Sequence, residues 1–163
     1  MMSMPRTPSQ TVGPYYAIGL SRKPQNELVA RNAPGATMLI GQLIDGEGSP
    51  ISDGMIEAWD SLGERWGRSG TDADGRFSFV VAKPEARAGE APRLDVLVFA
   101  RGLLRHQLTR VYFPDEAEAN AADPVMSGLD ESDRATLVAE QADGALRWDV
   151  RMQGDRATVF FTH

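Results

Sequence analysis

The sequence predicts an all-β protein: a sandwich of short strands preceded by an extended amino-terminal arm. Three observations carry that expectation. Sixteen glycines and ten prolines are scattered through 163 residues, a composition that favours many short strands joined by turns over long helices. Apolar and polar residues alternate in short runs, as in Arg76-Phe77-Ser78-Phe79-Val80, and clusters of turn formers separate those runs at fairly even spacing. Five of the ten prolines (Pro5, Pro8, Pro14, Pro24 and Pro34) fall in the first 35 residues. Proline lacks a backbone donor and fixes φ, so that stretch makes neither a regular ladder nor a long helix.

The chain divides accordingly into an arm over residues 1–36 and a sandwich over residues 37–163. The arm is expected to lie on another surface, anchored by Tyr15, Tyr16 and Ile18. Thr37 to Asp45 reads as the first strand, and Asp45-Gly46-Glu47-Gly48-Ser49-Pro50 is dense in turn formers. Met55 to Trp59 alternates as a second strand, Thr71-Asp72-Ala73-Asp74-Gly75 is a tight turn, and Arg76 to Val80 follows it. Arg93 to Ala100 and Leu108 to Phe113 read as buried strands. Pro114 to Asn120 reads as an exposed acidic loop. Asp130 to Ala139 is the one short helix expected, with Asp130-Glu131-Ser132-Asp133 at its positive end. Leu146 to Met152 and Thr158 to Phe161 are the closing strands, with Gly154-Asp155 as the turn between them.

Composition excludes several classes of function. The net charge is −6 and no Lys/Arg-rich run exists, which argues against nucleic acid. Apolar runs reach only four or five residues, such as Val96 to Ala100, too few to span a membrane. Met1-Met2-Ser3-Met4-Pro5-Arg6 has no apolar region of a signal peptide, so a cytoplasmic location is expected. Zero cysteines exclude disulfides, thiolate catalysis and cysteine-ligated metals. Gly-x-Ser-x-Gly, His-Glu-x-x-His and phosphate-cradling glycine loops are all missing. Asp72 and Asp74 are turn chemistry, since no bidentate glutamate closes a calcium loop behind them. No catalytic residue is expected within the chain.

Gly41-x-x-x-Asp45-x-x-Gly48-x-Pro50, followed by Thr71-Asp72-x-Asp74-Gly75-x-Phe77-x-Phe79, resembles prealbumin-like sandwiches, and bears on fold alone. Other segments are more specific. Thr7-Pro8-Ser9-Gln10-Thr11-Val12-Gly13-Pro14-Tyr15-Tyr16, the run Val98 to Leu104, the run Thr109 to Asn120, and the ending Arg147 to Gly154 with Thr158 to Phe161 cover most of the chain. Together they resemble the α subunits of protocatechuate 3,4-dioxygenases, two-chain members of the intradiol ring-cleaving dioxygenase family. The chain is shorter than that family leads one to expect, chiefly between Trp59 and Gly67.

The resemblance implies a β-sandwich with the intradiol dioxygenase core. It also implies a homologous partner, the β subunit, that holds Fe(III) with two tyrosines and two histidines. Here the corresponding positions carry other residues: the loop Asp60 to Arg68 has no tyrosine, Arg87 stands in register with the second tyrosine, and Arg93-Leu94-Asp95 stands for His-x-His. Only His106 and His163 remain as imidazoles, so no metal ligand is expected in this chain. The implied reaction is cleavage of 3,4-dihydroxybenzoate by dioxygen to 3-carboxy-cis,cis-muconate. The implied substrate-pocket residues are Thr11, Gly13, Pro14, Tyr15 and Arg101. An arginine offers paired donors to a ring carboxylate, and a tyrosine offers an apolar ring with a polar tip. Plainer roles stand beside these: Arg101 as an exposed strand-end arginine paired with Asp115 or Glu116, and Tyr15 as a packing anchor of the arm. The alternative for the whole chain is a free-standing, non-catalytic β-sandwich binding module.

Overall fold

Nine strands build two facing sheets in the computed structural model, which describes residues 6–13, 15–22 and 24–162. The first sheet takes β1 (Thr37–Ile44), β4 (Arg76–Val81), β7 (Glu140–Ala142) and β8 (Ala145–Arg147) in the order β4-β1-β8-β7, with β9 (Val150–Arg151) also pairing with β1. The second takes β2 (Met55–Asp60), β3 (Trp66–Gly70), β5 (Arg93–Phe99) and β6 (Gln107–Tyr112) in the order β3-β2-β5-β6, antiparallel throughout. The all-β sandwich expected from the alternation is therefore the fold.

Period-two alternation decides what the sheets bury. Leu39 and Leu43 of β1, Phe77, Phe79 and Val81 of β4, Ile56 and Ala58 of β2, and Leu94, Val96 and Val98 of β5 all enter one core. Phe77 stands edge-on to Phe79 at 6.1 Å and to Trp148 at 6.4 Å, ring centre to ring centre. The Trp148 backbone also passes very close to β1: a Cβ on Gly41 would lie 1.8 Å from the Trp148 carbonyl oxygen. Only glycine fits there.

That crossing explains one departure from the sequence reading. Leu146 to Met152 is not one strand but two short parallel pieces, β8 against the middle of β1 and β9 against its end. Between them Trp148 N–H donates to Ile40 O at 2.9 Å, and the Asp149 carboxylate accepts from Gln42 N–H at 3.0 Å. A side chain thus supplies the ladder bond that the backbone would otherwise make. Thr158 to Phe161 is likewise no strand. It runs beside β6, held by a single bridge from Leu108 to Phe161 and by the Thr109 hydroxyl donating to Val159 O at 2.7 Å. β3 and β7 were not foreseen.

Among the described residues four short helices replace the one expected: α1 (Tyr16–Leu20), α2 (Ala117–Ala122), α3 (Pro124–Ser127) and α4 (Glu131–Leu137). The supposed acidic loop runs into α2 and forms its first four residues, where Asn120 is buried and its amide donates to Phe113 O at 2.8 Å. α4 begins where the acidic cluster predicts, with Asp130 accepting from Asp133 N–H at 2.9 Å. Asp123 caps α3 and lies against Tyr112, Met126 and Leu137, a second small apolar cluster at the end of the second sheet.

Residues 25–28 close the sandwich on its β3/β4 side. Gln25 O accepts from Arg68 N–H of β3, while Asn26 O and Leu28 N–H bond both backbone groups of Val80 in β4. This covers two strand edges that would otherwise present unpaired donors and acceptors. Among the described residues no helix is long and apolar enough to cross a membrane.

Candidate functional site

Beyond its last ladder residue, β5 continues through Ala100 to Arg101 and Gly102, and the arm lies against this turn. Thr11 accepts from Gly102 N–H through its hydroxyl oxygen at 3.0 Å. The Tyr16 hydroxyl sits between two carbonyl oxygens, Asp53 at 2.7 Å and Phe99 at 2.8 Å, and donates its one proton between them. Burial first, and the neighbouring Asp53 charge second, push the Tyr16 phenol up to about 12, with Arg101 acting in the opposite direction. Gln10 and Val12 roof a cavity of about 280 Å3 over Phe99, Ala100, Leu103, Leu104, Arg105 and His106. The His106 ring packs on Phe99 with centroids 5.5 Å apart.

Four of the five expected pocket residues fall in the described part of the chain, and Pro14 lies outside it. Thr11 and Arg101 are brought together through Gly102. Gly13 forms a turn, its carbonyl accepting from Tyr16 N–H at 3.2 Å. Tyr15 points away from the sandwich and is 76% exposed, as is Ile18 at 77%. The anchor on this chain's own surface is therefore Tyr16, and Tyr15 and Ile18 are left facing outward. The plainer reading of Arg101 loses its proposed partners. Asp115 and Glu116 are both taken by Lys83, at 2.5 and 2.6 Å, whereas Arg101 Nε pairs with the carboxylate of Asp53. The arginine side chain stays 64% exposed. Asp53 is the member of this cluster that sequence reasoning missed, while Tyr16 is the one of the three expected arm anchors that is held on this sandwich.

The opposite end of β5 looks different. Arg93, in the expected His-x-His register, is 2% exposed and donates to Glu90 at 2.6 Å and to Asp95 at 3.2 Å. Arg110 Nε approaches the same Asp95 oxygen at 3.1 Å. Burial alone would disfavour the Arg93 charge, but the Glu90 bond and the two carboxylate charges outweigh it and hold the group more firmly protonated. The β2–β3 loop is short and closed: Asp60 accepts from Glu64 N–H and from Arg65 Nε, and Trp59 stacks on Trp66 at 5.6 Å. Arg87 is exposed. A ferric ion does not fit among these groups, because guanidinium repels it and the available carboxylates are already neutralised. Among the described residues no cluster of three or more His, Cys, Asp or Glu side chains is placed to hold a metal.

A larger cavity, about 710 Å3, lies elsewhere, beside β1, β3 and β4, and is lined in part by Arg68, Arg76 and Arg147. Each of those arginines already has a carboxylate: Glu57 at 2.5 Å, Asp74 at 2.9 Å and Asp149 at 3.4 Å. Its size exceeds that of the arm cavity, and Arg22 also lines it, but none of the expected pocket residues does.

No family profile matches the chain. Sequence relatives are decisive. The chain is 41% identical over 196 residues to a protocatechuate 3,4-dioxygenase alpha chain from Burkholderia cepacia, covering 99% of each chain. It is 37% identical over 194 residues to the alpha chain of the same name from Pseudomonas putida, covering 97% of this chain and 96% of that one. The chain belongs to the protocatechuate 3,4-dioxygenase alpha-chain family. An alignment of 196 positions against a chain of 163 residues means that the Burkholderia relative carries segments this family member lacks.

Solved structures give the same fold at low identity. The dioxygenase domain of a carbohydrate-binding fusion protein from Streptomyces sp. SirexAA-E superposes with a TM-score of 0.60 at 20% identity, over 89% of this chain and 96% of that one. An intradiol ring-cleavage dioxygenase from Tetranychus urticae gives 0.62 at 13% identity, over 77% and 83%.

Proposed function

We propose that this alpha-chain family member is the non-iron subunit of a heteromeric intradiol dioxygenase. It pairs in the cytoplasm with a homologous, iron-holding β subunit, and the pair cleaves 3,4-dihydroxybenzoate with dioxygen to 3-carboxy-cis,cis-muconate. Non-haem iron with tyrosine and histidine ligands supplies the oxidative chemistry when bound in the partner. This chain contributes recognition: its arm, residues 1–36, held on its own sandwich through Tyr16 and residues 25–28, docks its outward face on the partner, and Thr11, Gly13, Pro14, Tyr15 and Arg101 border the substrate.

One observation supports a two-chain site above all. Asp95, in the ligand register, lies near the start of β5 and Arg101 two residues past its end, and a step of six residues at the rise of an extended chain spans up to about 20 Å. A ring a few ångströms across cannot touch both positions within one chain. A pocket using an iron at one end and Arg101 at the other needs two sandwiches, each lending a different end. The exposed Tyr15 ring and the exposed Arg101 fork point outward, as groups do that meet their ligand on another surface. The catechol hydroxyls then face the partner, and the ring carboxylate faces this chain.

Arg101→Ala in the assembled enzyme tests the reading. Loss of a charge-assisted contact of roughly 1.5–3 kcal/mol lowers kcat/KM for 3,4-dihydroxybenzoate by about 10- to 150-fold. Catechol, which has no carboxylate, loses far less, and the iron content of the partner is unchanged. Equal values for wild type and variant on both substrates would refute a substrate role for this arginine.

A further inference from the structure

We propose that Asp53 is a positioning residue that aims Arg101 at the substrate's ring carboxylate; this rests on the reading of Arg101 given above. The geometry begins with the sheet. β2 and β5 pair antiparallel with Met55 opposite Phe99, so the same register carried two residues past the ladder sets Asp53 opposite Arg101. Side chains two apart share a face, and the two charges are thereby cross-strand neighbours just beyond the last ladder pair.

Asp53 is itself held in place. Its carbonyl oxygen accepts from the Tyr16 hydroxyl at 2.7 Å. The next residue, Gly54, is tied by its N–H to the Thr71 hydroxyl at 2.8 Å and by its carbonyl to Thr71 N–H at 3.0 Å. The carboxylate pairs with Arg101 at Nε, and among the described residues no other carboxylate pairs with this guanidinium. Two parallel N–H groups of one guanidinium match the spacing of two carboxylate oxygens. An arginine on an exposed strand end samples many rotamers when nothing holds it; Asp53 removes most of that freedom before the ligand arrives. The pairing also offsets the local positive charge, so an anion gains most where its geometry fits the remaining donors.

Asp53→Asn separates this role from folding. Asparagine is isosteric, and the backbone oxygen that receives Tyr16 is untouched, so the arm stays tied while the ion pair is lost. Steady-state constants are measured on the assembled enzyme with 3,4-dihydroxybenzoate and with catechol, for Asp53→Asn, Arg101→Ala and the double variant. An exposed ion pair of this kind corresponds to about a two- to fivefold effect. The expected result is a rise of that size in KM for 3,4-dihydroxybenzoate, with kcat and the catechol constants unmoved. Asp53→Asn adds nothing in the Arg101→Ala background, since it acts through that side chain. Unchanged KM, tighter binding of 3,4-dihydroxybenzoate, or an equal loss on catechol overturns the assignment. Arg101→Ala alone tells the failures apart: a loss there beside an inert Asp53→Asn removes only the role of Asp53, whereas an inert Arg101→Ala removes both readings.

Discussion

The two ends of β5 carry arginines under opposite conditions. Arg93, at its start, is 2% exposed and lies among Glu90, Asp95 and Arg110, each charge facing an opposite one. Arg101, just past its end, is 64% exposed and has one carboxylate, from Asp53. A buried guanidinium persists only when it is paired and hydrogen-bonded, and the first site balances its charges within the chain. The second keeps most of its donors facing outward. One strand thus holds a structural charge cluster at its start and, past its end, the group proposed above for recognition. The difference predicts that stability and substrate selectivity separate cleanly between the two ends.

Arg93→Ala tests that separation with the largest expected effect. It strands Glu90 and Asp95 beside an empty, buried space, although both carboxylates are about one-third exposed and Arg110 still covers Asp95. The full cost of breaking a buried pair therefore does not apply. A loss of about 2–3 kcal/mol is expected, read as a lower urea midpoint of the chain. The ratio of kcat/KM between 3,4-dihydroxybenzoate and catechol in the assembled enzyme stays the same. A changed ratio at unchanged stability would reverse the two assignments.

Asp123 sharpens the same point through pH. It is buried at the end of the second sheet, where desolvation favours its neutral form. N–H groups of Ala91, Val125 and Met126 and the Tyr112 hydroxyl outweigh that and hold its carboxyl below the usual range. A depressed carboxylate stabilises the fold above the unfolded value near 3.9, and the contribution is lost as pH falls through the folded value. Asp123→Asn should cost about 1–2 kcal/mol at neutral pH and flatten the acid limb of stability below about pH 4. Parallel acid limbs in both proteins would show that other carboxylates dominate acid unfolding.

Much of this was legible in the sequence, for physical reasons that also explain the gaps. β1, β2, β4, β5 and β6 bury one face, so alternation reported them with ends right to within a residue or so. β3 was invisible because Gly67 and Gly70 break its alternation. Gly67 is there because a Cβ would lie 2.6 Å from Leu28 Cδ1 and 3.0 Å from Gln25 O, the segment that covers the strand edge. α2 read as a solvated loop because a single buried residue, Asn120, anchors it among charges. Thr11 and Arg101 came from the family resemblance, and the fold does set the arm against the Arg101 turn. Asp53 stayed hidden because Ser52-Asp53-Gly54 reads as turn chemistry, and only the register of β2 against β5 gives that aspartate an arginine. Tyr16 was named with Tyr15 as an arm anchor, and nothing in a Tyr-Tyr pair says which ring is held.

The smallest expected effect belongs to Tyr16, and it tests whether the arm is fixed at the Arg101 end by this chain alone. Tyr16→Phe removes a hydroxyl that serves two carbonyls and costs about 1 kcal/mol, with little change in the urea midpoint if the loss is confined to the arm. Hydrogen exchange localises it. The Gly102 N–H, whose partner is Thr11, should exchange faster in the variant, while amides of β5 near Arg93 keep their protection. The phenol is the hydrogen-bonded form, and its folded value of about 12 lies above the ordinary 10.0. The tether is therefore fully present below about pH 10 and weakens as pH rises from there through about 12. In wild type, Gly102 exchange, corrected for its intrinsic alkaline rate, should approach that of Tyr16→Phe over this interval, and the variant should show no such step. Burial also raises the Tyr112 phenol, but its hydroxyl bonds Asp123, so its ionisation leaves the Gly102 reporter unmoved. Protection of Gly102 that survives both the substitution and the alkaline range would mean that Thr11 and the cavity beneath Val12 hold the arm without Tyr16.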